Sequence, residues 1–277
     1  GGRTSPLSTQ GLVDTTPLRT FLRDQLHTVG GVLKGIEKNL ESERLNAAAL
    51  TTTNYSTGRA VTWVQGRRIK KWERSDRTSR YTALSLDHVM ASASLPLFFP
   101  AVRIRQSWYG DGGIRQTAPL SPAIHLGANQ IMTISTRYDQ SAEEADSKVV
   151  HGYPPPAQIG GVLMESVFLD LLHHDAANLR RINRLVRHVP PKDRGDLKVI
   201  DLLIMRPSVD IAALSRKYEP ELPSLFRYLL HGIGAQESER PDWLSMLMFE
   251  PGYIKELIEI GRSDAADRHD EIARFFG

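Results

Sequence analysis

The chain has 277 residues, of which 40% are hydrophobic and 24% charged, and its net charge is +3. That composition excludes a disordered or fibrous protein, and so small a charge does not fit a dedicated nucleic-acid binder. Cysteine is absent, which excludes disulfides and thiolate metal sites while leaving the compartment open.

The N-terminal "GGRTSPLSTQG" has no apolar stretch of signal-peptide type and does not begin with Met, as expected of a cut end. No run reaches the roughly 18 apolar residues of a membrane span. The greasiest stretch, "VIDLLIM", is interrupted by Asp201.

"DTTPLRTFLRDQL" predicts a helix with Thr16 as cap and Pro17 at the first helical position. Leu18, Phe21, Leu22 and Leu26 would share its apolar face. "RLNAAALTTTNYSTGRAVTWVQG" predicts two strands that turn at "NYSTG", where Gly58 can take a positive φ. The charge run "RRIKKWERSDRTSR" reads as a solvated edge strand and loop, with a polar rim facing a membrane as the other reading.

Leu84, His88 and Ala91 fit a short helix that Pro96 stops. Phe98 and Phe99 are expected to turn inward. "AVRIRQSWY" then predicts one strand, "APLSPAIHLGA" a helix ending at Gly127, and "NQIMTIST" a buried strand. Strand, glycine turn, helix and strand make a βαβ pattern, hence an α/β fold with parallel pairing. Residues 139–156 are polar and Pro-rich, which sets a domain boundary at 138/139. Beyond it lies a mostly helical extension. Its long helix carries an apolar stripe of Ile159, Leu163, Val167, Leu171, Leu179, Ile182, Val186 and Val189. "DLKVIDLLIMRPS" is its one returning strand, and shorter helices include "GYIKELIEIG" and "DEIARFF".

Two clusters invite a chemical reading. His173, His174 and Asp175 point about 100° apart on a helix, so they read as structural or surface residues rather than metal ligands. Arg180, Arg181, Arg184, Arg187 and His188 line one side of an amphipathic helix. Such a helix fits a membrane surface or a packed core equally well.

"SWYGDGGIRQTAPL" holds the strongest candidate. Asp-Gly alone usually marks a hairpin turn, but here a helix follows within a few residues. Asp111 therefore falls at the carboxyl end of a strand, where ligands bind in open α/β sheets. Gly112 and Gly113 permit a sharp turn and a close approach of the backbone. A carboxylate there can serve as a general base.

"MASASLPLFFPAVRI", followed by "YGDGG" and "APL", resembles the second half of a patatin-like phospholipase. "DTTPL" and "PGYIKELIEIGRSDA" are similar to bacterial members of that family. The resemblance implies a three-layer α/β/α catalytic core, of which residues 1–138 would be the C-terminal part and 139–277 the extension. It implies hydrolysis of phospholipid or other fatty-acyl esters by a Ser–Asp dyad with Asp111 as the Asp, and no metal or organic cofactor. The family's nucleophilic Ser lies in G-x-S-x-G after a Gly-rich oxyanion loop, and this sequence has neither. Ser56, Ser92, Ser94 and Ser263 all lack the paired glycines.

The chain is therefore expected to begin after the elbow and to be inactive by itself. The reading from another class is a non-catalytic lipid- or partner-binding subunit, or a degenerate homologue. The partners expected are the lipid substrate and a peripheral membrane contact, with no nucleic acid. Lipid identity and oligomeric state are not encoded legibly. A soluble or peripheral membrane protein is expected, with the cytoplasm favoured.

Overall fold

Threonine and valine flanking the "NYSTG" turn form the middle of a sheet in the computed structural model, which describes residues 11, 13–67, 69–96, 98–139, 171–222, 245 and 248–277. Strands β1 (Ala47–Asn54) and β2 (Ala60–Gly66) pair antiparallel, with Thr53 opposite Ala60, and Gly58 has φ +65° in the turn. The charge run ends in β3 (Arg77–Tyr81), which pairs parallel to β2 at the sheet edge, as the solvated-edge reading expects.

"AVRIRQSWY" is not one strand. It folds back at Arg105 and Gln106 into β4 (Val102–Ile104) and β5 (Ser107–Asp111), with Ile104 opposite Ser107. Arg105 takes φ +55°, a conformation that no glycine announces here. The sheet order is β3-β2-β1-β5-β4.

Helices α1 (Thr16–Gln25), α2 (Lys34–Glu41) and α3 (Leu86–Ser92) belong to the same compact unit, Gly1–Ala128. The α1 start differs from expectation. Thr16 is its first residue, and the Asp14 carboxylate accepts from the Thr16 N–H. Of its predicted apolar face, Leu22 packs against the core, while Leu18, Phe21 and Leu26 are exposed. Phe98 and Phe99 are half-buried.

Trp63 organises this core. Its indole N–H donates to Thr52 Oγ1 at 2.8 Å, and its ring meets His88 and Tyr109 edge-on at 4.7 and 5.3 Å. His88 also starts α3. Its Nδ1 accepts from the Ser85 N–H at 3.1 Å and lies 2.7 Å from Ser85 Oγ, a capping box with histidine in the Glu position.

The second unit, Asn129–Gly277, is built on a parallel pair, β6 (Gln130–Ile134) and β7 (Asp201–Met205). The parallel pairing expected across the glycine turn does not form: β5 lies antiparallel to both its neighbours, and β6 takes β7 as its parallel partner. β6 is only partly buried; Ile134 is exposed. Because β6 pairs with β7, the break in contacts falls before β6, whereas composition placed it at 138/139. Most of the Pro-rich segment, and the first turns of the predicted long helix with Ile159, Leu163 and Val167, lie outside the described residues.

The described part of that helix is α5 (Leu171–His188). Its buried face is Ala176, Leu179, Asn183 and Val186, so Ile182 points outward. Asn183 fastens it: Nδ2 donates to the Ile200 carbonyl at 2.7 Å and Oδ1 accepts the Ile200 N–H at 3.0 Å. Helix α6 (Ile211–Tyr218) is capped by Asp210, and α7 (Pro251–Asp267) and α8 (His269–Phe276) follow. Parallel and antiparallel pairs with helices in both units make this an α/β protein, and the C-terminal half carries the expected helices. Among the described residues, no helix is long and apolar enough to cross a membrane.

Candidate active site

β5 enters the sheet between β1 and β4, and its end places Asp111 beside Thr52 of the central strand. Tyr109, two residues earlier, points into the core. Alternation along the strand then sends Asp111 to the same side, where it is half-buried.

Three hydrogen bonds fix this residue. Its N–H donates to the Ser94 carbonyl at 2.9 Å, and its carbonyl accepts from Thr53 Oγ1 at 2.7 Å. Its Oδ1 accepts from the Gly113 N–H at 2.7 Å, capping a short 3-10 turn, Gly112–Arg115. The other carboxylate oxygen, Oδ2, has no hydrogen-bond partner among the described residues. Burial pushes the Asp111 carboxyl above its ordinary value, and the Gly113 N–H opposes that shift. A carboxylate with one tethered oxygen, one open oxygen and raised basicity can accept a proton.

Gly112 serves close approach rather than an unusual φ. A Cβ there would lie 2.6 Å from the Thr51 carbonyl carbon, so the 3-10 turn can lie on β1 only without a side chain. Arg115 Nε donates to the Gly58 carbonyl at 2.8 Å, tying the same turn to the β1–β2 hairpin. Gly110 is likewise covered by the Tyr55 ring, which a Cβ would strike.

Tyr55 is a neighbour that sequence reasoning missed. Burial raises its phenol pKa, and the charge of Asp111 raises it further. The phenol therefore stays protonated at neutral pH within electrostatic reach of the carboxylate. Thr53 and Ser94, the two main-chain supports, were missed as well. The only available signal was that "NYSTG" places an aromatic residue in a turn.

Ser92 Oγ donates to the Thr51 carbonyl at 2.8 Å, and buried Ser94 Oγ donates to the Met90 carbonyl at 2.6 Å. Ser56 lies in the hairpin turn, its N–H bound by Asn54 Oδ1. Ser263 lies inside α7 rather than at a helix end. None of the four side chains hydrogen-bonds to the Asp111 carboxylate. His173 and His174 are exposed on α5, their rings edge to face 6.2 Å apart. Among the described residues, no group of three or more His, Asp or Glu is placed to hold a metal.

Residues 2–124 match the family model for patatin-like phospholipases. This segment is patatin-like. The match includes the whole of β1 to β5, the 3-10 turn and Asp111, and it ends within α4 (Ser121–His125). The family is in general one of lipid acyl hydrolases. Comparison with curated proteins and comparison with solved structures each found no match.

Proposed function

We propose that this protein hydrolyses carboxylic ester bonds of lipids and that Asp111 is the base of its Ser–Asp dyad. The observation that carries the reading is the state of Asp111 within the patatin-like segment. Oδ1 is held by Gly113, Oδ2 has no hydrogen-bond partner among the described residues, and burial raises the basicity. In the first step a serine Oγ attacks the acyl carbonyl and its proton passes to Oδ2. The tetrahedral adduct collapses, and the leaving alcohol takes that proton. Water then attacks the acyl-serine, gives a proton to Oδ2, and the serine oxygen recovers it as the fatty acid departs. Asp111 does not need an intervening histidine. The chain has no G-x-S-x-G, so the proposal places the serine outside residues 1–277. No metal or organic cofactor enters these steps.

Mass and N-terminal sequence of the native protein address the serine directly. An upstream G-x-S-x-G supports the hydrolase. A native start at Gly1 supports the non-catalytic lipid-binding reading.

The test of Asp111 is its change to Asn in the native enzyme. Asn keeps the cap to Gly113 but takes no proton from serine, so kcat should fall by about 10²-fold or more, with KM and thermal stability little changed. Near-normal kcat in Asp111→Asn would remove the catalytic assignment. The acid limb of the wild-type pH profile should lie above the ordinary carboxylate value of 3.8, because the base acts only when ionised and burial raises its pKa. A limb at or below that value would contradict the role.

A further inference from the structure

The α5 helix carries a charge pattern that its own fold does not explain. Arg180, Arg181, Arg184 and Arg187 are all exposed, and none has a hydrogen-bond or ion-pair partner among the described residues. Arginines in and between the last two helices are treated differently. Arg262 pairs with Glu259 at 2.8 Å and Arg268 with Glu271 at 2.7 Å, both three residues apart. On α5 the residues three or four positions away are other arginines: 180 with 184, 181 with 184, and 184 with 187. Like charges at these spacings destabilise a helix. The helix dipole favours cations in the last turn, which accounts for Arg187 and leaves Arg180 and Arg181 unexplained.

The arrangement also concentrates the charge of the whole protein. Four arginines and Asp175 give α5 a charge of +3, which equals the net charge of the chain. The remaining 31 basic and 31 acidic residues cancel. Asp175 is the single acid on the helix and is half-buried, towards the packed face rather than among the arginines. His173, His174 and His188 are exposed too.

We propose that this face of α5 docks on an anionic lipid surface. The choice of lipid over other anions rests partly on the hydrolase reading above and partly on Leu185. That side chain is 61% exposed, beside Arg184 and one helical turn from Arg181 and His188, and Ile182 is 46% exposed on the flank. An apolar side chain amid guanidinium groups gains nothing from a nucleic-acid backbone. At a membrane it enters the headgroup and acyl boundary while the arginines meet the phosphates. The buried face stays on the protein, held by Asn183, so docking requires no rearrangement of the unit.

The test is sedimentation of the native protein with vesicles of phosphatidylcholine alone or mixed equally with phosphatidylglycerol. Binding should appear on the mixed vesicles and weaken as NaCl is added. The triple change Arg180→Gln, Arg184→Gln, Arg187→Gln should weaken it by roughly 10²-fold, since each basic side chain contributes about a factor of five. Its melting temperature should not fall, because like-charge repulsion is removed. Leu185→Ser should lower the salt-resistant part of binding.

Equal binding to neutral vesicles overturns the proposal, as does triple-variant binding at the wild-type level. Tighter binding to a mixed-sequence DNA duplex than to the vesicles also overturns it, in favour of a nucleic-acid surface. Sedimentation reads no ester cleavage, so failure here leaves the Asp111 reading intact, and failure of Asp111→Asn leaves this one intact.

Discussion

At the residue scale, the place of Asp111 at a strand end is legible in the sequence, because the glycines after it lead into a helical turn and not into a returning strand. Its supports were not legible. The Thr53 hydroxyl, the Ser94 carbonyl and the Tyr55 ring reach Asp111 through strand register and chain path, which no local pattern encodes. The close approach expected at Gly112 is there, but that β1 is the partner beneath it is not written in the local sequence. Gly112→Ala should therefore push the 3-10 turn off the Thr51 carbonyl and cost about 1–3 kcal/mol, the usual range for overpacking. A urea denaturation midpoint equal to wild type would show that the strand yields without cost.

His88 gives a second prediction at this scale. Burial holds its pKa below the ordinary 6.5, with Arg105 adding to the effect and Asp87 opposing it. Nε2 is buried without a partner among the described residues. The folded state thus resists a proton that the unfolded chain takes up. The stability from neutral His88 is present above pH 6.5 and is lost as pH falls towards its folded value. Stability measured by urea unfolding should decline over that window, and His88→Gln should flatten the decline. An unchanged slope in the variant would assign it to other groups.

At the scale of elements, long periodic patterns are legible in the sequence and short irregular ones are not. The β1–β2 hairpin follows from β-branched residues around Gly58. The β4–β5 hairpin was missed because its turn uses Arg105 at positive φ, where Gly or Asn would have been the signal. Helix α5 was recognised, but its buried face was misassigned around Ile182. A hydrophobic stripe cannot anticipate that Asn183 belongs inside. It does so because it satisfies both the donor and the acceptor of Ile200. Asn183→Ala should leave those two groups unpaired in a buried place and cost about 2–5 kcal/mol. Asn183→Leu should be no better, because shape is restored and hydrogen bonding is not. Wild-type thermal stability in Asn183→Leu would mean that packing alone seats the helix.

For the whole molecule, the α/β class follows from alternating strand and helix patterns, but the partition of strands does not. Pairing between β6 and β7 joins residues about 70 positions apart, across a segment whose composition resembles a linker. Local reading therefore put β6 with the strands before it. The pairing predicts how the chain opens. Parallel ladder bonds from Gln130 opposite Asp201 to Ile134 opposite Met205 should protect the β6 amides only while β7 is in place. Leu203 is buried in β7. Leu203→Ala should cost about 2–5 kcal/mol and speed amide exchange at Ile131, Met132 and Thr133 together with that of β7. Tyr109→Ala in β5 supplies the comparison, since Tyr109 is buried in the other core. It should speed exchange in β1, which β5 pairs with, before it affects β6. Exchange in β6 that follows Tyr109→Ala and ignores Leu203→Ala would move the boundary back to 138/139.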